Sequence, residues 1–213
     1  MYTYCIWDFN GTILDDVELG VYSVNLLMKN HEIPLVLNRE RYRERFDFPI
    51  IDYYKELGFD FDKTSYELLA EEWVDIYMSN LFRAKLFPDL IKSLDFFKSR
   101  GVMQSILSAS EKTMLKGQVE GLGISSYFED VMGIDNIYGD SKLSIARRWR
   151  EAHPDDKVIF IGDTTHDIET ARELSADCYI VCAGHQCKSR FESCDVRVFE
   201  SLGELTGFLV RYY

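Results

Sequence analysis

Tyr2-Thr-Tyr-Cys-Ile-Trp-Asp8-Phe-Asn-Gly-Thr12 is a short apolar run that empties into an acidic residue and a glycine-bearing turn. It reads as a buried strand. A lone strand has no partner, so its sheet must come from further along the chain. The stretch from Asp15 to Lys85 supplies none. There Val17, Val21, Val24, Leu27 and Met28 recur at helical spacing behind Asp15 or Asp16 as a cap. Further helices are expected at Arg39–Phe46, Ile50–Leu57 and Lys63–Arg83, separated by Pro34, Pro49 and Gly58-Phe-Asp-Phe-Asp62. After Pro88 the pattern alternates. Helices are expected at Asp89–Ser99, Glu111–Glu120, Ser141–Ala152, Asp167–Leu174 and Leu202–Val210. Strands are expected at Val102–Leu107, Phe128–Met132, Lys157–Ile161, Cys178–Cys182 and Val196–Phe199. Such alternation implies right-handed βαβ units and a mainly parallel sheet covered on both faces. The expected class is α/β, with residues 1–14 and 86–213 forming the sheet core and residues 15–85 an all-helical insertion.

Composition narrows the function. Across 213 residues, 24 Lys and Arg face 36 Asp and Glu, a formal charge of −12. That balance argues against nucleic-acid backbone binding, which leaves a basic footprint, while permitting one local anion pocket. No stretch approaches the ~20 apolar residues of a membrane helix, and the opening residues lack the basic segment of a signal peptide. The five cysteines, Cys5, Cys178, Cys182, Cys187 and Cys194, form no Cys-x-x-Cys pair. They read as reduced thiols of a cytoplasmic protein rather than as a zinc cluster with His185.

Ligands of open α/β sheets bind at the carboxyl ends of the strands. At those ends lie Asp8, Ser108 and Asp163, with Asp167 one helical turn further on. Converging carboxylates repel unless a cation sits among them, and Mg2+ favours oxygen ligands. Lys142 adds a positive charge. Ser108 adds a hydroxyl, and the main-chain N–H groups after Asp8 and Ser108, the latter at Ala109, add donors for phosphate oxygens.

On Asp8-Phe-Asn-Gly-Thr12, Ser108 after Ser-Ile-Leu, Lys142, and Gly162-Asp163-Thr-Thr-His-Asp167, the chain resembles the haloacid dehalogenase-like superfamily. It is most similar to the phosphoglycolate phosphatase-like members, which carry a helical cap after the first strand. Leu86-Phe-Pro88 resembles the segment that re-enters the core. The resemblance implies a Rossmann-like core and a phosphatase acting on a small phosphorylated metabolite. Asp8 would be the nucleophile that becomes an aspartyl phosphate. Mg2+ would be held by Asp8, the main-chain carbonyl of Asn10, Asp163 and Asp167. Ser108 and Lys142 would clamp the phosphoryl oxygens, Gly11 would let the backbone turn close to the phosphate, and Thr12 would brace that turn. The helical cap would close over the site.

Asn10 departs from the pattern. The family's phosphatases place at that point a second aspartate that protonates the leaving oxygen, and an amide cannot exchange a proton at neutral pH. General acid–base help is typically worth ~10^2–10^4-fold, so turnover of alkyl phosphates should be slowed. Several readings stay open. The chain is a phosphatase for leaving groups that need little protonation, such as acyl or aryl phosphates, or borrows an acid from the cap or from His166. It is a regulatory phospho-ligand binder with impaired turnover. It belongs to another class, such as the phosphonatases, with Lys29, Lys55, Lys63 or Lys85 as the imine-forming lysine. Or Asn10 is a substitution made to trap an intermediate. His31, His153 and His185 read as surface or turn residues. Arg41, Arg43 and Arg45 read as a solvated face, or as an arginine reaching a substrate carboxylate. The aromatics Phe46, Phe48, Tyr53, Tyr54, Phe59, Phe61, Trp73 and Tyr77 read mainly as packing between helices, and Phe46–Ile50 falls where capped members carry specificity residues.

Overall fold

A computed structural model describes residues 2–138 and 141–212; positions 1 and 213, the outer ends of the expected core, lie outside them. The opening run forms β1 (Tyr4–Trp7), whose residues are all buried. Its side chains alternate between the two faces of the sheet, as a pleated strand demands. Cys5 and Trp7 join one hydrophobic cluster with Leu94, Phe97, Ile106 and Leu205, and Tyr4 and Ile6 join another with Trp149, Phe160 and Leu174. A strand apolar on both faces belongs in the middle of a covered parallel sheet, and β1 is there.

The sheet also contains β4 (Met103–Glu111), β5 (Asp130–Ile134), β6 (Val158–Gly162), β7 (Asp177–Val181) and β8 (Arg197–Phe199). Its order is β5-β4-β1-β6-β7-β8 and every pairing is parallel. The helices α5 (Leu90–Lys98), α6 (Lys112–Gly121), α7 (Leu143–Ala152), α8 (Thr165–Glu173) and α9 (Leu202–Tyr212) alternate with these strands. The chain is α/β with a Rossmann-like sheet. Register places the chemistry: Trp7 lies level with Ile106 of β4 and Ile161 of β6. The next residues on the three strands, Asp8, Leu107-Ser108 and Gly162-Asp163, therefore arrive together at one edge.

Between β1 and α5 run α1 (Val17–Asn30), α2 (Arg39–Arg45), α3 (Ile50–Leu57) and α4 (Tyr66–Ser79). They pack around a separate cluster that includes Val17, Val24, Leu27, Tyr53 and Leu69. Two details differ from the sequence reading. A ribbon forms where the chain leaves and rejoins the sheet layer, with β2 (Leu14–Asp15) antiparallel to β3 (Lys85–Leu86); two-residue strands are too short to show a period. Strand β4 continues beyond Leu107 to Glu111, with an irregular register between those residues, so Ser108, Ala109 and Ser110 lie on a disturbed strand instead of a loop.

Candidate active site

The three acidic side chains from distant parts of the chain meet. Carboxylate oxygens of Asp8, Asp163 and Asp167 lie within 4.8 Å of one another, and all three residues are buried. Lys142, only 2% exposed, bridges two of them, donating from Nζ to Asp8 Oδ1 at 2.5 Å and to Asp167 Oδ1 at 2.6 Å, and also to the Leu107 carbonyl at 3.2 Å. The opposite oxygen of Asp167 accepts from the amides of Asp163 and Thr164 and from the Thr164 hydroxyl. Asp167 thus anchors the start of α8 and holds the lysine at once. Burial opposes its charge, but Lys142 outweighs burial and keeps its carboxyl below the usual range. The same exchange holds Lys142 protonated: burial works against its charge, and Asp167 and Asp8 prevail.

Asp8 and Asp163 are left short of positive charge. Burial and the neighbouring carboxylates raise Asp8 well above its ordinary value despite Lys142, and burial pushes Asp163 up to about 7. With all three carboxylates ionised against one ammonium, two buried negative charges would be left uncompensated. A small, hard dication fits that oxygen set and that deficit.

Glycines permit the crowding around Asp163. A Cβ on Gly11, at φ +74°, or on Gly184 would come within 2.2 Å of Asp163 Oδ2. The Gly11 amide is used internally, donating to Asp16 Oδ1 and the Leu14 carbonyl, each at 2.9 Å. The Thr12 hydroxyl, fully buried, donates to Asp163 Oδ1 at 3.1 Å. Both residues therefore shape the carboxylate cluster. Ser108 and Ala109 line the cavity beside Asp8. The Ser108 hydroxyl donates to Ser110 Oγ at 3.1 Å and accepts from the Ser110 amide.

Asn10 sits in a network that nothing in the sequence announced. Its Nδ2 donates to Asp16 Oδ2 at 2.8 Å and to the Tyr77 hydroxyl at 2.9 Å, while its Oδ1 accepts from Ser110 Oγ at 2.8 Å. Tyr77 donates to the same Asp16 oxygen at 2.7 Å. His185 closes the circle, its Nε2 3.0 Å from Asp16 Oδ1, its Nδ1 2.9 Å from the Tyr42 hydroxyl and its amide on Asp163 Oδ2. Asp16 is the residue just before α1 but makes no capping bond, because its four acceptor directions are taken by Asn10, Tyr77, His185 and the Gly11 amide. His185 is 6% exposed, which corrects its reading as a surface residue, although it does lie in a loop. Burial disfavours its cation, but Asp16 reverses the balance and pushes the imidazole up to about 9. His166 is set differently: burial, aided by Lys142, lowers it to about 4. Its Nε2 lies 3.0 Å from Ser141 Oγ and its buried Nδ1 has no partner.

The arginines on α2 also differ from expectation. Arg43 donates to the carbonyls of Cys182, Gly184 and Gln186, and Arg39 to that of Ala183, so α2 is fastened to the loop that carries His185. Arg45 keeps the solvated role, pairing with Glu56 at 3.0 Å. Above the carboxylates lies a cavity of about 180 Å³. Phe46, Phe48, Tyr53, Tyr54, Trp73 and Tyr77, read as packing between helices, line it together with Ile50; Phe59 and Phe61 remain with the helix cluster. The five cysteines are unpaired. No described helix is long and apolar enough to cross a membrane.

A family model described as haloacid dehalogenase-like hydrolase matches residues 5–181. The chain is 22% identical to a phosphoglycolate phosphatase of Aquifex aeolicus over 133 residues, 58% of this chain and 62% of that protein, so the match spans less than two thirds of the relative. A haloacid dehalogenase-like family hydrolase of Streptococcus pneumoniae superposes with a TM-score of 0.82 at 18% identity, covering 98% of each chain. A Clostridium acetobutylicum protein described as a predicted phosphatase gives 0.81 at 19% identity over 99% of each. The fold, the family match and the buried carboxylates at the edge of the sheet agree: this chain belongs to the haloacid dehalogenase-like hydrolase family.

Proposed function

We propose that this chain is a Mg2+-dependent phosphatase that hydrolyses a small phosphorylated metabolite through an aspartyl phosphate on Asp8. The observation that carries the reading is the position of Asp8, at the end of the central strand, against Lys142 and within reach of Asp163 and Asp167. Asp8, Asp163, Asp167 and the Asn10 carbonyl would hold Mg2+, which when bound supplies the positive charge that lets a carboxylate approach a phosphoryl anion. Asp8 attacks phosphorus in line, and the bond to the leaving oxygen breaks. Lys142 orients the Asp8 carboxylate and offers its remaining charge to the transferring oxygens, while Ser108 and the Ala109 amide add donors on the other side. Asn10 holds its neighbours but delivers no proton, so leaving groups of high basicity depart slowly. Residues 15–85 act as a cap that excludes water and selects the substrate. The setting is the cytoplasm, where unpaired thiols stay reduced. The phosphatase name of the Aquifex aeolicus relative supports the reaction class.

Phosphate release from acetyl phosphate in the presence of Mg2+ tests the reading. Release is expected from the native chain and absent in Asp8→Ala. Equal release by that variant, or none from the native chain, would overturn it.

A further inference from the structure

The cavity above Asp8 is built from aromatic surfaces. Phe48 stacks on His166 with ring centroids 4.7 Å apart and planes at 23°, and Trp73 stacks on Tyr77 at 4.9 Å and 24°. All four residues line the space. Tyr77 connects it to the reacting end through its bond to Asn10. Charge is distributed one-sidedly. Among the described lining residues the only lysine or arginine is Lys142, which is engaged by Asp8 and Asp167. Both ring nitrogens of His185 are engaged, by Asp16 and Tyr42. The two arginines of α2 nearest the core are spent on main-chain carbonyls. Among the described lining residues no cation is therefore left to receive a carboxylate or a second phosphate on the leaving group. An anionic leaving group would be desolvated without a partner, a strongly unfavourable arrangement.

A second observation points the same way. Asn10, which lines the cavity together with Asp8, is an amide fixed at both ends by Asp16, Tyr77 and Ser110. It has no proton to give. A phenolic oxygen ionises near pH 10, some five units below water, whose pKa of about 15.7 represents an unassisted hydroxyl. An aryl oxide therefore leaves without a general acid where an alkoxide does not.

We propose that the substrates of this site are aryl phosphate monoesters with an uncharged ring, seated between the Phe48–His166 and Trp73–Tyr77 stacks. The proposal rests on the phosphatase reading and names its substrate class. Asp8 Oδ forms a bond to phosphorus, and the bond from phosphorus to the aryl oxygen breaks with its electron pair leaving on that oxygen. The phenolate takes a proton from solvent. Water then attacks the aspartyl phosphate, returning the Asp8 carboxylate and inorganic phosphate, with the surplus proton passing to solvent.

The test compares phenyl phosphate, cyclohexyl phosphate, 2-phosphoglycolate and acetyl phosphate with Mg2+, and measures binding of phenylphosphonate against methylphosphonate by calorimetry. The kcat/KM for phenyl phosphate should exceed that for 2-phosphoglycolate at least ~10-fold. Phenyl and cyclohexyl phosphate, alike in size, should differ at least ~100-fold in kcat/KM, which reports the step in which the leaving group departs. Phenylphosphonate should bind at least ~10-fold tighter than methylphosphonate, and Trp73→Ala should erode that ratio. If acetyl phosphate is hydrolysed in an Asp8-dependent way but 2-phosphoglycolate equals or beats phenyl phosphate, the substrate class is overturned and the phosphatase reading stands. If phenylphosphonate binds no tighter than methylphosphonate, the ring seat is likewise overturned. If no ester and no acyl phosphate is hydrolysed, both readings fall. Should Trp73→Ala not fold, the substrate and phosphonate comparisons on the native chain decide alone.

Discussion

Exchanging Asn10 for aspartate replaces an amide donor 2.8 Å from Asp16 Oδ2 with a second acceptor oxygen. Two unit charges at that spacing repel by about 6 kcal/mol at an effective dielectric constant of ~20. The introduced carboxyl can escape by keeping its proton, which costs about 5 kcal/mol at pH 7.5 from an ordinary pKa of ~3.9. The His185 imidazolium, 3.0 Å from the other Asp16 oxygen, offsets part of the repulsion. We therefore expect Asn10→Asp to lose about 3–4 kcal/mol of stability at pH 7.5. The sign with pH follows from a folded-state pKa raised above the unfolded one. The penalty is absent below about pH 3.9, grows as pH rises, and levels off above the folded value, so at pH 4.5 it should shrink to about 1 kcal/mol. Urea unfolding in EDTA at both pH values measures it, and the double variant Asn10→Asp/Asp16→Asn should recover at least half of the loss. The variant restores an exchangeable proton at this position, so alkyl phosphate turnover in the folded fraction should rise. A loss below about 1 kcal/mol at pH 7.5, or an equal loss at both pH values, would show that Asp16 does not dictate the amide.

Two further outcomes follow from the same geometry. His185, pushed up to about 9 from 6.5, should contribute about 3 kcal/mol that is fully present below pH 6.5 and lost as pH rises through 9. Unfolding at pH 6 and pH 9.5 should show this loss in the native chain in excess of that in His185→Gln, and equal slopes would refute the assignment. Because buried carboxylates outnumber their counter-charges, Mg2+ at about 100 times its Kd should stabilise the native chain by about 2.7 kcal/mol over EDTA. Asp163→Asn should lose most of that gain, and a variant that keeps it would exclude Asp163 as a ligand.

The sheet was legible because β1 announces itself: a run apolar on both faces and closed by Asp8 is a central parallel strand, and the later alternation of strand and helix supplies its neighbours. Once those strands are aligned, Asp8 and Asp163 meet at their ends with Asp167 one turn further on, whereas Lys142, just before α7, was picked out by the family resemblance. The ring of interactions around Asn10 was not legible. Asp16 opens a helix and so looks like a cap, whereas its bonds run to Tyr77 and His185, far away in sequence. His185 lies in a loop without periodicity, and only the close fit of Gly184 against Asp163 marks its neighbourhood. Arg43 has the spacing of a solvated helix face, and nothing local indicates that the carbonyls of Cys182, Gly184 and Gln186 await it. Phe48 and Trp73 illustrate a more general ambiguity: the wall of an aromatic cavity and the packed interior of a helical bundle have the same composition.

The ribbon between Leu14–Asp15 and Lys85–Leu86 has a topological consequence. Departure and return occur side by side, so strand order places no limit on how much chain is spliced between them. Closing a longer detour costs little, about 0.6 kcal/mol for each doubling. The helices at this doorway can accordingly be lengthened, shortened or exchanged without altering the order or register of the strands that bring Asp8, Ser108 and Asp163 to one edge.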